Sequence, residues 1–346
     1  MLQQAQTICP IDPLDNLLHK NNFDIDKIMS VSKEYNIDTI KNRIDVIQGY
    51  KEKLVNILKI PKIEQKSPEW YEARHKIISA SDFAQALGEG KFGTQRDLII
   101  KKVDPPEYGT LNNPFFEWGN MFEQVASDIY AKMHNVEIHE FGLLRHPHIS
   151  YAGASPDGIS ENGIMLEIKC PLKRKITPGA DVPTQYYYQI QGQLDVCDLD
   201  ECDYFECEFT LCKSVWEFEA SNNTRGIFAK KNNEYIYGPL TLSDANDKTR
   251  VKDIKDIEKF AEDHADSSLH YWILKIYNLK RVLRDKAFID KVLTELGDVW
   301  KQILHYRENR EAFVKDILKI ITIETEVYEK EQREQQVNIK AYAFLD

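Results

Sequence analysis

Ser155-Pro156-Asp157-Gly158 and, after a short turn, Leu166-Glu167-Ile168-Lys169-Cys170 decide how this 346-residue chain is to be read. A strand sends alternate side chains to opposite faces, so Glu167 and Lys169 share one face while Ile168 turns to the core. Asn162-Gly163 is a tight-turn signal between the runs Gly158-Ile159-Ser160 and Ile164-Met165-Leu166, and the hairpin it predicts returns Asp157 to the side of Glu167. Two convergent carboxylates suit Mg²⁺, which takes oxygen ligands, keeps several waters and uses only one or two protein carboxylates. Asp157, Glu167 and the main-chain carbonyl of Ile168 are the candidate donors. Lys169 adds a compact charge that can orient or help deprotonate a water and offset charge developing on phosphorus. Taken alone, the same three residues also fit a turn aspartate followed by the solvated face of an edge strand.

The surroundings favour the chemical reading. Upstream stand Ser67-Pro68-Glu69-Trp70-Tyr71-Glu72-Ala73-Arg74, Ile77-Ile78-Ser79-Ala80-Ser81-Asp82 and Phe115-Phe116-Glu117-Trp118-Gly119-Asn120-Met121-Phe122-Glu123; downstream is Tyr186-Tyr187-Tyr188-Gln189-Ile190-Gln191-Gly192-Gln193. In this order, as W-x3-R-x6-S, W-G-x3-E, S-P-D-G, L-E-I-K-C-P and Y-x2-Q-x-Q, the chain resembles the lambda exonuclease or YqaJ family of viral and phage recombination nucleases over roughly residues 67–210. The resemblance implies an α/β (α+β) fold: a PD-(D/E)xK restriction-endonuclease-like core, with a mixed central sheet flanked by helices.

Carried over residue by residue, it implies that Asp157, Glu167 and the Ile168 carbonyl bind divalent metal, that Glu123 is an additional acid, that Lys169 is the catalytic lysine, and that Gln189 lies beside the active centre. It implies two Mg²⁺ ions per site, with Mn²⁺ as a substitute. Arg74, Ser81 and Ser155 match positions that hold a 5′-terminal phosphate. Arginine offers a planar fork to phosphate oxygens and serine adds neutral donors. The expected activity is 5′-to-3′ exonucleolytic hydrolysis of linear duplex DNA in recombination, repair or genome processing, with a trimeric ring and a single-strand annealing protein as expected partners. The rivals are an endonuclease acting on DNA or RNA through the same site, and a non-catalytic module that binds DNA ends.

Several of these residues have plainer readings. Phe122, Val125, Ala126 and Ile129 predict a core-facing helix capped by Asn113 with Pro114 at its first position, and Glu123 by itself would be a surface acid on it. Tyr186, Tyr187 and Tyr188 are packing residues, at least one of them, or a stacking surface near DNA.

The chain carries 45 Lys and Arg against 56 Asp and Glu, a net charge of −11, which argues against DNA binding through overall charge and in favour of a local groove. Lys173, Arg174 and Lys175, directly after the Lys169 strand, are candidate contacts to the DNA backbone; Lys91, Arg96, Lys101 and Lys102 form a second candidate cluster. Cys197, Cys202, Cys207 and Cys212 recur every five residues, a step that alternates faces on a strand and lacks the paired spacing of a zinc site, so reduced buried thiols are expected. The chain has no apolar run long enough for a bilayer and no basic-then-apolar leader, so a soluble, intracellular protein is expected, not secreted and not in the membrane, in a host cytoplasm or nucleus if viral.

Three parts are expected. Residues 1–60 form a helical segment that includes Ile44 to Ile60, residues 61–240 the nuclease domain, and residues 241–346 a helical region. Strands are predicted at Glu137 to Leu144, Gly158 to Lys169, Asp203 to Leu211 and Val215 to Ala220, and a helix from Thr184 to Cys197. In the last part, Leu269, Trp272, Ile273, Ile276 and Leu279 recur at helical spacing, as do Phe313, Ile317, Ile320 and Ile321; Glu324 to Gln336 predicts an exposed charged helix or a frayed tail.

Overall fold

The computed structural model describes residues 8–9, 13–63, 65, 67–105 and 113–318. Its elements in chain order are β1 (Ile8–Cys9), α1 (Pro13–Lys20), α2 (Ile25–Val31), α3 (Ile37–Ile57), α4 (Pro68–His75), β2 (Ile78–Ser79), the 3-10 turn Ala80–Asp82, α5 (Phe83–Ala86), α6 (Gln95–Val103) and α7 (Pro114–His134). Five short strands follow: β3 (Ile138–His139), β4 (Leu144–Arg145), β5 (Ala152–Ala154), β6 (Gly158–Ser160) and β7 (Met165–Lys169). Then come α8 (Thr184–Cys197), β8 (Glu201–Leu211), α9 (Val215–Ala220), β9 (Arg225–Lys231), β10 (Glu234–Thr241), α10 (Asp247–Asp263), β11 (Ser268–Leu283), α11 (Lys286–Glu308) and α12 (Arg310–Phe313).

The hairpin forms as its turn chemistry requires. Gly163 takes a left-handed φ of +73°, open to glycine without a steric penalty, and β6 pairs antiparallel with β7 in the register Gly158↔Leu166 and Ile159↔Met165. β7 then pairs parallel with β8, and α8 is the crossover that a parallel pair needs. The main sheet runs β10-β9-β11-β8-β7-β6-β3, with β1 paired to the far end of β11; a second sheet has the order β2-β5-β4. This is the expected α+β arrangement, a mixed sheet between helical layers.

Each face of the sheet has its own core. On one face, Phe122, Val125, Ala126 and Ile129 of α7 pack on Leu166, Ile168, Phe205 and Cys207. On the other, Ile190 and Leu194 of α8 and Ile289, Leu293 and Leu296 of α11 pack with Met165, Cys202 and Tyr204. Asn113 caps α7, its side chain accepting from the Phe115 amide at 3.0 Å, with Pro114 in the first turn as expected. Cys202 and Cys207 go to opposite cores, and Cys170, Cys197, Cys202, Cys207 and Cys212 are all free thiols.

Two predicted elements take the other form. Leu269 to Leu279 is not helical: it lies in β11, a 16-residue strand paired with both β8 and β9. Both faces of β11 are covered along much of its length, so its apolar residues do not alternate, and a bulge between Leu274 and Ile276 shifts the remaining pattern into a helical one. Val215 to Ala220 is the helix α9, not a strand, because Ser214 caps it by accepting from the Glu217 amide and only Phe218 turns to the core. Glu137 to Leu144 divides between two sheets. Ile320, Ile321 and the stretch Glu324 to Gln336 lie outside the described residues.

Candidate active site

The acids converge because the start of the hairpin, the middle of β7 and the middle of α7 meet. Asp157 precedes β6, and its carboxylate accepts the Ile168 amide at 2.6 Å, so the two strands of the hairpin are tied at the level of Glu167. Glu167 is fully buried and shares a face of β7 with Lys169, whose ammonium donates to it; Ile168 points to the opposite core. Glu123, one α7 turn beyond Gly119, lines the same cavity as Asp157. The predicted quartet is therefore one cluster.

Its electrostatics are those of an acid-rich centre short of cations. Burial first, then Glu167 and Glu123, pushes the Asp157 carboxyl well above the usual carboxylate range. Burial works against the charge on Lys169, but the carboxylates of Glu167 and Asp157 override it and hold its pKa above the usual lysine value. Lys169 also lies 5.1 Å from the centre of the Tyr186 ring. Tyr186 thus belongs to the site, whereas Tyr187 and Tyr188 pack edge-on against Phe288.

The same cavity carries positive charge and hydroxyls. About 190 Å³ in volume, it is lined by Asp157, Glu123, Gln189 and Gln193 together with Arg74, Ser79, Ser81, Ser155 and Trp70. Arg74 lies over the Trp70 ring at 4.5 Å, and its Nη2 donates to Ser79 Oγ at 2.8 Å and Ser81 Oγ at 3.1 Å. Ser155 Oγ is buried without a hydrogen-bond partner in the protein. Arg74, Ser81 and Ser155, the expected phosphate-binding residues, therefore line the same cavity as Asp157, Glu123 and Gln189.

Of the two α8 glutamines that line the cavity, Gln189 and Gln193, it is Gln193 whose Nε2 donates to Glu167 Oε2 at 2.8 Å, and its Oε1 is buried without a partner. Sequence reasoning passes over Gln193, although it stands one helical turn after Gln189 and so on the same face. Gly192 allows this approach, since a Cβ there would come within 2.5 Å of the Phe83 ring.

The basic clusters divide. Lys173 and Lys175 are exposed beside the site, whereas Arg174 pairs with the buried Glu206 and lies over Tyr186. Lys102 is no DNA contact: it is 3% exposed and bonded to the Arg74 carbonyl and to Asp82.

The donor set suits a hard cation. Asp157, Glu167 and Glu123 offer only oxygen, Asp157 is destabilised as an anion by its acidic neighbours, and Ser155 Oγ and Gln193 Oε1 lack protein partners. Among the described residues no three carboxylate, histidine or cysteine side chains form a ready-made metal cage. One or two carboxylates plus water and substrate oxygens is the Mg²⁺ pattern, so the residues present fit such an ion.

Residues 69–200 match the YqaJ-like viral recombinase domain. The chain is 30% identical over 203 residues to the uncharacterized protein R354 of Acanthamoeba polyphaga mimivirus, a match covering 54% of this chain and 34% of that relative's length. The chain thus spans about a third of the relative it matches. Among solved structures it is similar to an alkaline exonuclease, LHK-Exo, from Laribacter hongkongensis, with 20% identity, a TM-score of 0.45, and coverage of 72% of this chain and 99% of that one. A phage-related exonuclease from Haemophilus somnus 129PT gives 14% identity and a TM-score of 0.39, over 66% of this chain and 95% of that one. Among the described residues no helix is long and apolar enough to cross a membrane.

Proposed function

We propose, from the match of residues 69–200 to the YqaJ-like viral recombinase domain, that the chain is a metal-dependent exonuclease that digests linear duplex DNA from a 5′-phosphorylated end. The observation that carries the reading is the cavity that Asp157 and Glu123 line together with Arg74, Ser81 and Ser155. A terminal phosphate held by Arg74 and the serines would place the adjoining phosphodiester near the acids.

Asp157, Glu167 and the Ile168 carbonyl, with Glu123 beside them, would hold Mg²⁺, or Mn²⁺ in its place. When bound, such ions lower the pKa of a water and neutralise phosphate charge. The protein's own groups do the positioning. The Ile168 amide fixes Asp157, and Gln193 fixes Glu167. Lys169, held protonated by its carboxylate neighbours, presents an N–H to the attacking water or the scissile phosphate and offsets charge as the phosphorus becomes more crowded. Arg74 keeps N–H groups beyond those given to the serines, and they can meet the terminal phosphate.

The test is Mg²⁺-dependent digestion of three duplexes, one linear with 5′-phosphates, one linear with 5′-hydroxyls and one covalently closed, by wild type and Asp157→Ala. Rapid loss of the phosphorylated linear duplex, slower loss of the hydroxyl form, an intact circle and an inert variant are expected. Cutting of the circle would mean an endonuclease; DNA binding without cutting would mean an end-binding module.

A further inference from the structure

Behind Arg74 and Ser81 lies a buried ion pair with no part in the chemistry above. Asp82 is 6% exposed and Lys102 3%, and they meet at 3.3 Å. Asp82 closes the 3-10 turn that carries Ser81, and Lys102 comes from the last turn of α6. Lys102 also donates to the Arg74 carbonyl at 2.9 Å. From outside residues 69–200, Arg307 of α11 donates to the carbonyls of both Lys102 and His75, each at 2.7 Å, and so fastens α6 to the end of α4.

The pair dictates the direction of the hydroxyl protons in the pocket. A serine hydroxyl has one hydrogen. Asp82, kept ionised because Lys102 outweighs its burial, can only accept, so the 3.0 Å bond from Ser79 Oγ uses the one hydrogen of Ser79. Ser79 must then accept from Arg74 at 2.8 Å, and in its 2.9 Å contact with Ser81 the donor must be Ser81. The Ser81 hydrogen thus rests on an oxygen already supplied by Arg74, and it can turn to an arriving phosphate without leaving Ser79 unsatisfied. Arg74 and Ser81 can then both offer hydrogen to an arriving anion.

We propose that Asp82 and Lys102 are positioning residues for the terminal-phosphate pocket, acting through Ser79 on Arg74 and Ser81 to make the pocket selective for a 5′-phosphate over a 5′-hydroxyl. The proposal rests on the reading of the cavity given above. Removing the charge at residue 82 frees Ser79 to turn its hydrogen to Ser81, so that Ser81 accepts in their contact and the fixed donor order toward an arriving anion is lost.

The experiment measures kcat and KM for 5′-phosphorylated and 5′-hydroxyl linear duplexes with wild type, Asp82→Asn and the double variant Asp82→Asn/Lys102→Met, which leaves no unpaired buried charge if the single variant folds poorly. Expected is at least a tenfold fall in the phosphate-to-hydroxyl ratio of kcat/KM, carried by KM for the phosphorylated end. Equal slowing on both ends, or an unchanged ratio in the folded variants, overturns the proposal, because a purely structural role lowers both alike. A wild type that cuts both ends equally removes the phosphate pocket itself, and the proposal with it.

Discussion

The charge cluster that fastens the amino-terminal helices to the sheet and the cluster at the cavity are made of the same residue types, yet they are completed differently. In the first, Arg43 spans Asp15 and Glu201 with bonds of 2.7 and 2.5 Å, Arg281 contacts Asp15, Glu201 and Asp203, and Tyr50 and Tyr130 donate to Glu201 and Asp203. Burial opposes ionisation of Asp15 and Glu201, but the arginines override it and hold both carboxyls below their usual values. In the second, one lysine faces three acids, the Asp157 carboxyl is pushed up, and a serine hydroxyl and an amide oxygen lack protein partners. Closed networks of this kind hold elements together, whereas a strained acid beside unpartnered polar atoms in a cavity marks a ligand site.

The largest expected effect sharpens that contrast. Asp157→Asn should reduce Mg²⁺-dependent DNA cleavage at least about ten-thousandfold, ~5 kcal/mol of transition-state stabilisation, without lowering the metal-free unfolding midpoint. An early-unfolding variant would place Asp157 with the structural acids. Arg281→Ala should do the reverse, costing about 3 to 5 kcal/mol of stability in urea unfolding by leaving buried carboxylates unpaired. Wild-type stability in that variant would break the comparison.

Metal should act on one cluster only. At a hundredfold excess over its dissociation constant, Mg²⁺ should stabilise wild type by about 2.7 kcal/mol, and Asp157→Asn should lose that gain. The acid limb of stability should follow the other cluster. Asp15 and Glu201 have folded pKa values below their usual 3.8 and 4.5, so their contribution is full above those values and is lost as pH falls through the folded ones. Asp157 has the opposite sign, since the cost of its charge is relieved on acidification. Urea midpoints from about pH 6 to about pH 3 should therefore fall more gently in Asp15→Asn than in wild type. The smallest effect is expected at the exposed Lys173 and Lys175, where Lys→Ala at each should weaken DNA binding and lower the salt dependence by about one unit of slope for each phosphate no longer neutralised.

Much of the site is legible in the sequence because it is local. The hairpin, the shared face of Glu167 and Lys169, the α7 cap at Asn113 and the span of α8 follow from periods and turn residues within a few positions of each other. Gln193 stays hidden because nothing in a helical repeat says which of two glutamines on one face reaches the strand below. Lys102 reads as a surface cation because its acid, Asp82, is twenty positions away on another element. β11 reads as a helix because it is enclosed by strands on both edges and covered on its faces, which removes the alternation that identifies a half-exposed strand.

By itself, the sequence determined the hairpin and the shared strand face of Glu167 and Lys169, since short-range stereochemistry sets which side chains share a strand face and where a turn must fall. The tertiary structure decided what lies far apart in the chain: that Arg281 and Arg43 close on Asp15, that β11 joins the sheet, and that Asp82 and Lys102 stand behind Arg74. Those contacts depend on burial and on the low dielectric around paired charges, which exist only once distant segments have packed together.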